Sequence, residues 1–213
     1  GFTVQGNDNP QAIAKVLSEV KPDIVGMQES DTTNLCSYQQ EINEYLAFKL
    51  NMDFNVGAAG KFATYGASII SKYRMSNKTF WMLPNGDDTG FERTLSSSIV
   101  SLSKEPQHQI LVLNLHNELN ETTNLQLDFT VKRAAELMQL MPLKEKTPVI
   151  ITGDFNTEPL TNAYNFMVEK HKYKDAYRTL RGRNDITFKC KKGTTETIDY
   201  IFFKNIAHVV DAG

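Results

Sequence analysis

Short apolar segments of the sequence end or begin on side chains that can do chemistry, namely Glu29, His116, Asp154 with Asn156, and Asp199. Hard divalent cations such as Mg²⁺ prefer oxygen ligands, so Glu29 and Asp154 could share one cation. A histidine and an asparagine can hydrogen-bond a phosphate oxygen, and the histidine can also protonate it. The set favours cation-assisted chemistry on a phosphate group, with a turn or capping role as the alternative for each residue alone.

The segment around Asp154 carries the most specific pattern. Gly153-Asp154-Phe155-Asn156 follows a short apolar run, so Asp154 and Asn156 stand two positions apart just after a predicted buried strand. With Phe155 packed inward, both polar side chains face the same cavity, where they can hold and deprotonate a water molecule. The tetrapeptide could also be a simple turn, because Asp and Asn favour turns. The sequence contains no Gly-rich P-loop, no GxSxG motif and no HExxH motif.

Alternating helical and strand patterns would position these side chains. Apolar periodicity predicts helices over 10–20, 38–50, 122–141 and 161–169. Apolar runs predict strands over 23–29, 66–71, 94–103, 110–116, 149–154 and 197–203. Strands with buried centres and exposed ends gather polar residues at one edge of a sheet. We therefore expect a single mixed α/β domain over residues 1–213, with helices outside a layered sheet core.

Composition and charge exclude several classes of protein. The chain has 213 residues, 40% hydrophobic and 23% charged, which is typical of a globular domain and not of a disordered chain. Its apolar runs are too short for a membrane-spanning helix. With 23 Lys and Arg against 25 Asp and Glu, the chain lacks the basic excess typical of phosphate-gripping nucleic-acid binders. Cys36 and Cys190 form no metal-binding pattern, and whether they pair stays open.

Several motifs, in this order and spacing, resemble those of the endonuclease/exonuclease/phosphatase superfamily, which has the DNase I-like fold. The resemblance covers nearly the whole chain. The matching segments are Asp23–Glu29, Tyr65–Tyr73, Phe91-Glu92-Arg93, Leu113–His116, Gly153–Asn156, Lys174–Tyr177 and Thr197–Phe202. The resemblance implies a four-layer α/β sandwich, in which two packed mixed sheets are flanked by helices.

The resemblance also implies metal-dependent hydrolysis of phosphate esters. By that resemblance Glu29 binds Mg²⁺, with Mn²⁺ or Ca²⁺ as alternatives, and Asp154 activates or orients the attacking water. Asn156 would contact the phosphate, and His116 would stabilise the phosphate or assist the leaving group. Asp199 would orient a catalytic histidine. These roles agree with what phosphodiester cleavage needs: charge neutralisation, an in-line water and a stabilised leaving oxygen.

Two expected elements are absent from the sequence. The superfamily usually has an asparagine on a first strand, and neither Asn7 nor Asn9 is assigned to that role. It also has a closing Asp-His pair some 20 to 30 residues after the strand of Asp199, and His208 lies too near that strand to replace it. We expect that the chain is truncated at both ends.

A narrower resemblance concerns the substrate. Glu29-Ser30-Asp31, the segment Glu44–Met52 and Tyr65-Gly66 resemble the C-terminal domain of eukaryotic proteins that remodel GPI-anchor lipids. That resemblance implies a lipid-linked substrate, a membrane region elsewhere in the full-length protein and a secretory lumen or membrane-associated location. The favoured hypothesis is a Mg²⁺-dependent phosphoesterase acting on a small or lipid-linked phosphate. The alternatives are a DNA or RNA endonuclease of the same fold, and a non-catalytic phosphate- or lipid-binding module. The oligomeric state is not predicted.

Overall fold

The computed structural model of the protein describes residues 10–31, 41–59, 65–85, 92–119, 122–189 and 193–211. Five residues discussed here lie outside these ranges: Asn7, Asn9, Cys36, Cys190 and Phe91. The predictions that concern them stay predictions. Within the described ranges, no helix is both long and apolar enough to cross a membrane.

The helices and strands form the mixed α/β arrangement that the apolar patterns predict. The helices are α1 (Pro10–Val20), α2 (Ile42–Leu50), α3 (Thr122–Gln139), α4 (Asn162–Asn165), which continues as a π-helical turn over Phe166–Lys170, and α5 (Ala176–Arg181). A 3₁₀ turn covers Lys144–Lys146. The strands are β1 (Ile24–Asp31), β2 (Asp53–Ala59), β3 (Tyr65–Ser71), β4 (Met75–Met82), β5 (Thr94–Ser101), β6 (Gln109–His116), β7 (Val149–Asp154), β8 (Lys174–Asp175), β9 (Phe188–Lys189), β10 (Thr195–Glu196) and β11 (Asp199–Lys204).

The larger sheet has six strands in the order β4-β5-β6-β7-β11-β8. Strands β6 and β7 are parallel, whereas the other neighbouring pairs are antiparallel, so this sheet is mixed. The connection from β6 to β7 runs through α3, as a parallel pair requires. The parallel pairing brings the carboxyl ends of β6 and β7 to the same edge of the sheet.

The smaller sheet has three described strands in the order β1-β3-β2, all antiparallel. It packs on the larger sheet, with β2 over β4 and β5, β3 over β5 and β6, and β1 over β6 and β7. Helices α1 and α2 cover its outer face through Ala14, Ile42 and Leu46. The order helix, sheet, sheet, helix confirms the predicted four-layer α/β sandwich.

The main hydrophobic core lies between the larger sheet and α3. Residues Leu127, Val131, Ala134, Leu137 and Met138 of α3 are buried there. Leu125 and Leu140, two apolar residues of the segment predicted as a helix over 122–141, are 47% and 73% exposed. The buried face of α3 therefore does not include every leucine of that segment.

Polar side chains fill part of the space between the two sheets. Asn114 of β6 is fully buried, and its amide nitrogen donates to the carbonyls of Met27 and Ser68 at 2.7 and 2.9 Å. Its amide oxygen accepts from Gln28 Nε2 at 2.6 Å and from Thr152 Oγ1 at 3.0 Å. All four hydrogen bonds are internal, so Asn114 ties β1 and β3 of one sheet to β6 and β7 of the other.

A close approach of the backbone makes this tie possible. A Cβ atom on Gly26 would stand 2.2 Å from Thr152 Oγ1 and 2.8 Å from Asn114 Oδ1. Because only glycine lacks that atom, β1 can lie directly against β6 and β7. Beside this contact, a cavity of 770 Å³ opens between α1, β1 and β11, lined in part by Val20, Ile24, Asp199 and Ile201.

Candidate active site

Strand register brings three of the predicted residues together. His116 closes β6 and stands opposite Asp154, the last residue of β7. Asp199 opens β11 and stands opposite Asp154 from the other side. The three side chains therefore come from neighbouring strands at one edge of the larger sheet.

Glu29 reaches this edge from the smaller sheet. The register of β1 against β3 shifts between Met27 and Ser30, and Glu29, within this bulge, has a positive φ of 53°. A bulge re-aims a side chain, which explains how a strand that is half-buried at Gly26 presents an exposed carboxylate three residues later. The hydroxyl of Tyr65, at the start of β3, hydrogen-bonds Glu29. Burial first, and then this carboxylate, raises the pKa of Tyr65 above its usual value.

Hydrogen bonds at the end of β7 fix the position of Asn156 relative to Asp154. The backbone N–H of Asn156 donates to Asp154 Oδ1 at 2.9 Å, and the Asn156 side-chain amide donates to the carbonyl of Asn117 at 2.7 Å. Asn156 has a φ of 47°, a left-handed conformation that asparagine tolerates better than most residues. Phe155 between them is fully buried and packs edge-on against Tyr200 and Phe202. The aromatic anchor thus directs the two polar side chains away from the core.

His116 lies next to both Asp154 and an arginine. Its Nε2 is 3.5 Å from Asp154 Oδ2, and its ring is 6% exposed. Nη1 of Arg93 lies 3.0 Å from each of the two ring nitrogens. Burial first, and then the Arg93 charge, lowers the pKa of His116 to about 4. This lowered pKa favours the neutral form of His116 at physiological pH.

Arg93 belongs to a segment that matches the superfamily, and the sequence left open whether Glu92 and Arg93 form a pair at the edge of the site or a surface ion pair. It is 8% exposed, and its Nε donates to Glu118 Oε2 at 3.3 Å. Glu118 is held in turn by α3, because its backbone N–H donates to Gln126 Oε1 and its carbonyl accepts from the Thr123 hydroxyl. Arg93 also faces Tyr65. The available signal was the matched segment Phe91-Glu92-Arg93, which gave no indication that the arginine would be buried.

Asp154 is surrounded by negative charge. Burial raises its pKa to about 6, and the charges of Asp199 and Glu29 act in the same direction. The hydrogen bond from Asn156 and the charge of Arg93 oppose that rise. A carboxyl group with this pKa is poised to exchange a proton near neutral pH.

Asp199 lies at the boundary between this cluster and the cavity. Its backbone N–H donates to Thr187 Oγ1 at 3.1 Å, and its side chain lines the cavity. Its carboxylate makes no hydrogen bond to a histidine within the described part of the chain. The predicted role of Asp199, orienting a catalytic histidine, stays a prediction.

The charge balance of the cluster fits a bound cation. One cation, Arg93, stands among four carboxyl groups, those of Glu29, Glu118, Asp154 and Asp199. Over the residues that the structure describes, no three His, Cys, Asp or Glu side chains are arranged to hold a metal ion. Mg²⁺ commonly binds through one or two carboxylates and fills its other positions with water and substrate phosphate, so this donor set suits it.

Asn117, the residue after His116, is a further buried polar group near this edge. Its backbone N–H donates to the carbonyl of Asp154, and its carbonyl accepts from Asn156. Its side chain is fully buried, yet neither its amide nitrogen nor its amide oxygen has a hydrogen-bond partner within the described ranges. The backbone of Asn117 therefore joins the loops after β6 and β7, which carry His116 and Asp154.

Comparison with known proteins agrees with this fold. Residues 1–210 match the family model described as "PGAP2IP, C-terminal nuclease-like domain". No curated protein matches the sequence.

Solved structures with similar folds share little sequence with this chain. Truncated TDP2 from Caenorhabditis elegans is 18% identical, with 92% of this chain and 76% of that chain covered and a TM-score of 0.67. A mannosyl-6-phosphatase from Bacteroides thetaiotaomicron is 19% identical, with 91% and 75% covered and a TM-score of 0.69. ANGEL2, a 2',3'-cyclic phosphatase solved with adenosine-2',3'-vanadate, is 15% identical, with 91% and 73% covered and a TM-score of 0.74.

The family match spans almost the whole chain, and the four-layer architecture agrees with it. The structural neighbours support the same architecture at low sequence identity. The chain therefore belongs to the PGAP2IP C-terminal nuclease-like domain family, within the endonuclease/exonuclease/phosphatase superfamily of DNase I-like folds.

Proposed function

We propose that this protein hydrolyses a phosphate ester with the help of a divalent cation held at Glu29, Mg²⁺ being favoured over Mn²⁺ and Ca²⁺. The observation that supports this most is the meeting of Glu29, His116, Asp154 and Asn156 at one edge of two packed sheets. The cation would neutralise charge on the phosphate. The names of the structural neighbours include phosphatases, which agrees with this reaction class.

Each residue has a role that its surroundings suit. Asp154, with a pKa of about 6, accepts a proton from the attacking water. Asn156 is fixed through Asn117 and can contact the phosphate. His116, being neutral, donates a hydrogen bond to a phosphate oxygen. Asp199 adds negative charge beside Asp154, which favours Asp154 as the proton acceptor.

The substrate class is proposed to carry an apolar, lipid-linked portion. Two leucines stand exposed on the loops that leave the site: Leu119, three residues after His116, and Leu160, four residues after Asn156. They are 54% and 66% exposed, and Leu160 has a positive φ of 68°. A non-glycine residue held in that conformation is worth a functional explanation. The resemblance to GPI-anchor lipid-remodelling proteins points to the same substrate class.

A nuclease is the second candidate. Lys172, Lys174 and Arg178 line a separate cleft of 460 Å³ that also includes Leu160, so a phosphate backbone could extend from the site onto it. That cleft also contains Glu169 and Asp175, and the chain has a net charge of -2, which weakens the case. A non-catalytic phosphate- or lipid-binding module is the third candidate.

The test is Mg²⁺-dependent hydrolysis by the purified protein. Three substrates are offered: bis(p-nitrophenyl) phosphate, plasmid DNA, and vesicles that contain an inositol phospholipid. Glu29→Ala and Asp154→Ala are compared with Glu44→Ala, a carboxylate on the exposed face of α2. Turnover of one substrate that both site variants lose and Glu44→Ala keeps supports the proposal and identifies the substrate class. Tight binding with no turnover on any substrate contradicts it and leaves the binding module.

A further inference from the structure

Positive charge concentrates in one segment of the chain. Residues 160–183 contain six Lys and Arg against two Asp and Glu, whereas the remaining residues contain 17 against 23. The basic residues of this segment are Lys170, Lys172, Lys174, Arg178, Arg181 and Arg183. A molecule whose charge is divided in this way turns its basic side toward an anionic surface.

The separate cleft of 460 Å³ lies within this segment, and we refer to it as the basic cleft. Its lining includes Leu160 from the loop after β7, Val168 from the π-helical turn, Lys172, Lys174 of β8 and Arg178 of α5. Strand β8 is the last in the described order of the larger sheet. The basic cleft therefore lies beside one end of that sheet.

The two lysines of the basic cleft are available to a ligand. Lys172 and Lys174 are exposed, and in the described part of the chain neither forms an ion pair or a side-chain hydrogen bond. The nearby Asp175 is 5% exposed, and its Oδ2 accepts from the Tyr164 hydroxyl at 3.0 Å and from Asn184 Nδ2 at 2.8 Å. Neutral donors inside the fold therefore occupy this carboxylate, and the lysines do not.

An exposed carboxylate also lines the basic cleft, and a lysine stands next to it in the sequence. The carboxylate is that of Glu169, and Lys170 is likewise exposed, with its Nζ 4.7 Å from the centroid of the Phe166 ring. Opposite charges on neighbouring residues largely cancel at the distance of a large ligand. The basic cleft therefore keeps the positive excess of its segment.

An exposed leucine adds an apolar element to this positive surface. Leu160 is 66% exposed and has a φ of 68°. A leucine held in the left-handed region costs free energy that other contacts must offset, so its position needs a functional explanation. Exposed apolar side chains beside lysines are typical of surfaces that bind anionic membranes, because the apolar chain enters the bilayer while the cations meet the headgroups.

The basic cleft suits nucleic acid less well. Single-stranded nucleic acid binds by stacking its bases on aromatic rings. Tyr164 and Tyr173 of the cleft are 3% and 4% exposed, so they offer no open ring face. A duplex could use the lysines for its phosphates, but a phosphate backbone gives Leu160 no apolar partner. The leucine therefore favours a bilayer as the ligand.

We propose that the basic cleft and Leu160 form a docking surface for the anionic face of a lipid bilayer. Lys172, Lys174 and Arg178 meet the lipid phosphates, and Leu160 enters the apolar layer beneath them. This binding does not depend on the proposed hydrolysis. Its consequence for catalysis does rest on the proposed function: Leu160 follows Asn156 by four residues, at most about 14 Å of chain, so docking holds the site beside the lipid.

The first arm of the test measures binding to vesicles by cosedimentation. Vesicles of phosphatidylcholine alone are compared with vesicles that also contain phosphatidylserine. The protein should bind the anionic vesicles at least about tenfold more tightly than the neutral ones. A rise in NaCl from about 50 mM to about 500 mM should weaken this binding about tenfold, because salt screens exposed charges. Equal affinity for both kinds of vesicle overturns the proposal.

The second arm identifies the surface. Lys172→Gln combined with Lys174→Gln should weaken binding to the anionic vesicles about 25-fold, or about fivefold for each charge. The matched control combines Lys15→Gln and Lys104→Gln, at exposed positions of α1 and of the turn between β5 and β6, and should change the affinity less than about twofold. An equal loss in both pairs would mean that net charge alone drives binding, and it overturns the proposal.

The apolar contribution has its own variant. Leu160→Asn removes the apolar side chain, and asparagine tolerates the left-handed conformation, so the fold should be kept. Binding to the anionic vesicles should weaken about tenfold. Unchanged binding contradicts the insertion of Leu160. The same variants are tested with single-stranded and duplex oligonucleotides by fluorescence anisotropy. Tighter binding to an oligonucleotide than to the anionic vesicles, lost in the Lys172 and Lys174 pair and kept in Leu160→Asn, assigns the cleft to nucleic acid and overturns the proposal.

These measurements use no turnover, so they separate this inference from the proposed function. If the anionic vesicles are bound as expected and no phosphate ester is hydrolysed, the proposed function fails and the docking surface stands. If bis(p-nitrophenyl) phosphate is hydrolysed and the anionic vesicles are not bound, the docking surface fails and the proposed function stands.

Discussion

Opposite proton affinities at neighbouring residues define the chemistry of this site. Burial lowers the pKa of His116 to about 4 and raises that of Asp154 to about 6, because burial disfavours the charged form of each group. At neutral pH the site therefore holds a neutral donor beside a carboxylate. The arrangement favours Asp154 as the proton acceptor in the proposed reaction.

These two residues should give the fold opposite responses to acid. His116 takes up its proton below its ordinary value of 6.5, so its contribution to stability is lost as the pH falls from 6.5 toward 4. The pKa of Asp154 is higher in the folded protein, at about 6, than its ordinary value of 3.8. The ionised carboxylate therefore lowers the stability of the fold above about pH 6, and this loss of stability is recovered as the pH falls toward 3.8. Between these limits the two contributions oppose one another.

Urea unfolding at pH 7.5 and pH 4.5 measures both contributions. Relative to the unmodified protein, His116→Asn should lose about 2 kcal/mol less stability on acidification. Asp154→Asn should lose about 2 kcal/mol more, because the relief that protonation brings is missing. Changes of the same sign in both variants would contradict the assigned pKa shifts.

Because Asn156 has a left-handed backbone conformation, two substitutions at this position can separate the effect of backbone strain from the effect of losing the amide. Glycine adopts a φ of 47° without strain, whereas alanine does not. Asn156→Ala should therefore be about 1 kcal/mol less stable than Asn156→Gly in urea unfolding. Both variants lack the amide, so both should lose activity to the same extent. Unequal activity in this pair would show that the loop conformation, and not the amide, supports turnover.

The register of whole strands determines which residues meet at the site. The parallel pairing of β6 with β7 and the antiparallel pairing of β7 with β11 bring His116, Asp154 and Asp199 into line. The sequence predicted the site-bearing strands, because their centres are continuous apolar runs. It did not predict β2 and β4, since Asp53–Ala59 has few β-branched residues and Met75–Met82 is an exposed edge strand with polar positions.

The burial of Arg93 was not predicted, for a physical reason. An arginine is usually exposed, and a lone Glu-Arg pair is typical of a solvated surface. Its burial becomes evident only when Glu118, from the loop after β6, and the His116 ring are both in place. Contacts between residues 23 and 25 positions apart leave no periodic signal in the sequence. Glu29, His116, Asp154 and Asn156, by contrast, stand at strand ends, where the pattern is visible.

Among the polar residues between the two sheets, Asn114 should lower the free energy of unfolding most when it is removed. Asn114→Ala leaves the carbonyls of Met27 and Ser68 without a donor and opens a polar void between the sheets. We expect a loss of about 3–5 kcal/mol in the free energy of unfolding. Asn124→Ala, at an exposed position of α3, serves as the matched control. A loss below about 1 kcal/mol would mean that the hydrogen bonds of Asn114 contribute little and that other contacts hold the two sheets together.

At the level of the whole molecule, a bound cation should stabilise the fold. The excess of carboxylates around Arg93 is a repulsion that a divalent ion relieves. With a Kd of about 1 mM, 10 mM Mg²⁺ should add about 1.4 kcal/mol, or about 3–5 °C in Tm. Glu29→Gln should lose this rise, whereas Glu44→Gln should keep it. An equal rise in both variants would place the cation elsewhere.

Exposed apolar side chains beside the cavity affect how copies of this molecule behave together. Val20 and Ile201 line the cavity and are 69% and 53% exposed. Apolar surface of this kind associates with the apolar surface of other molecules. Concentrated solutions should therefore self-associate through this face, and Ile201→Lys should keep the molecules apart in sedimentation velocity.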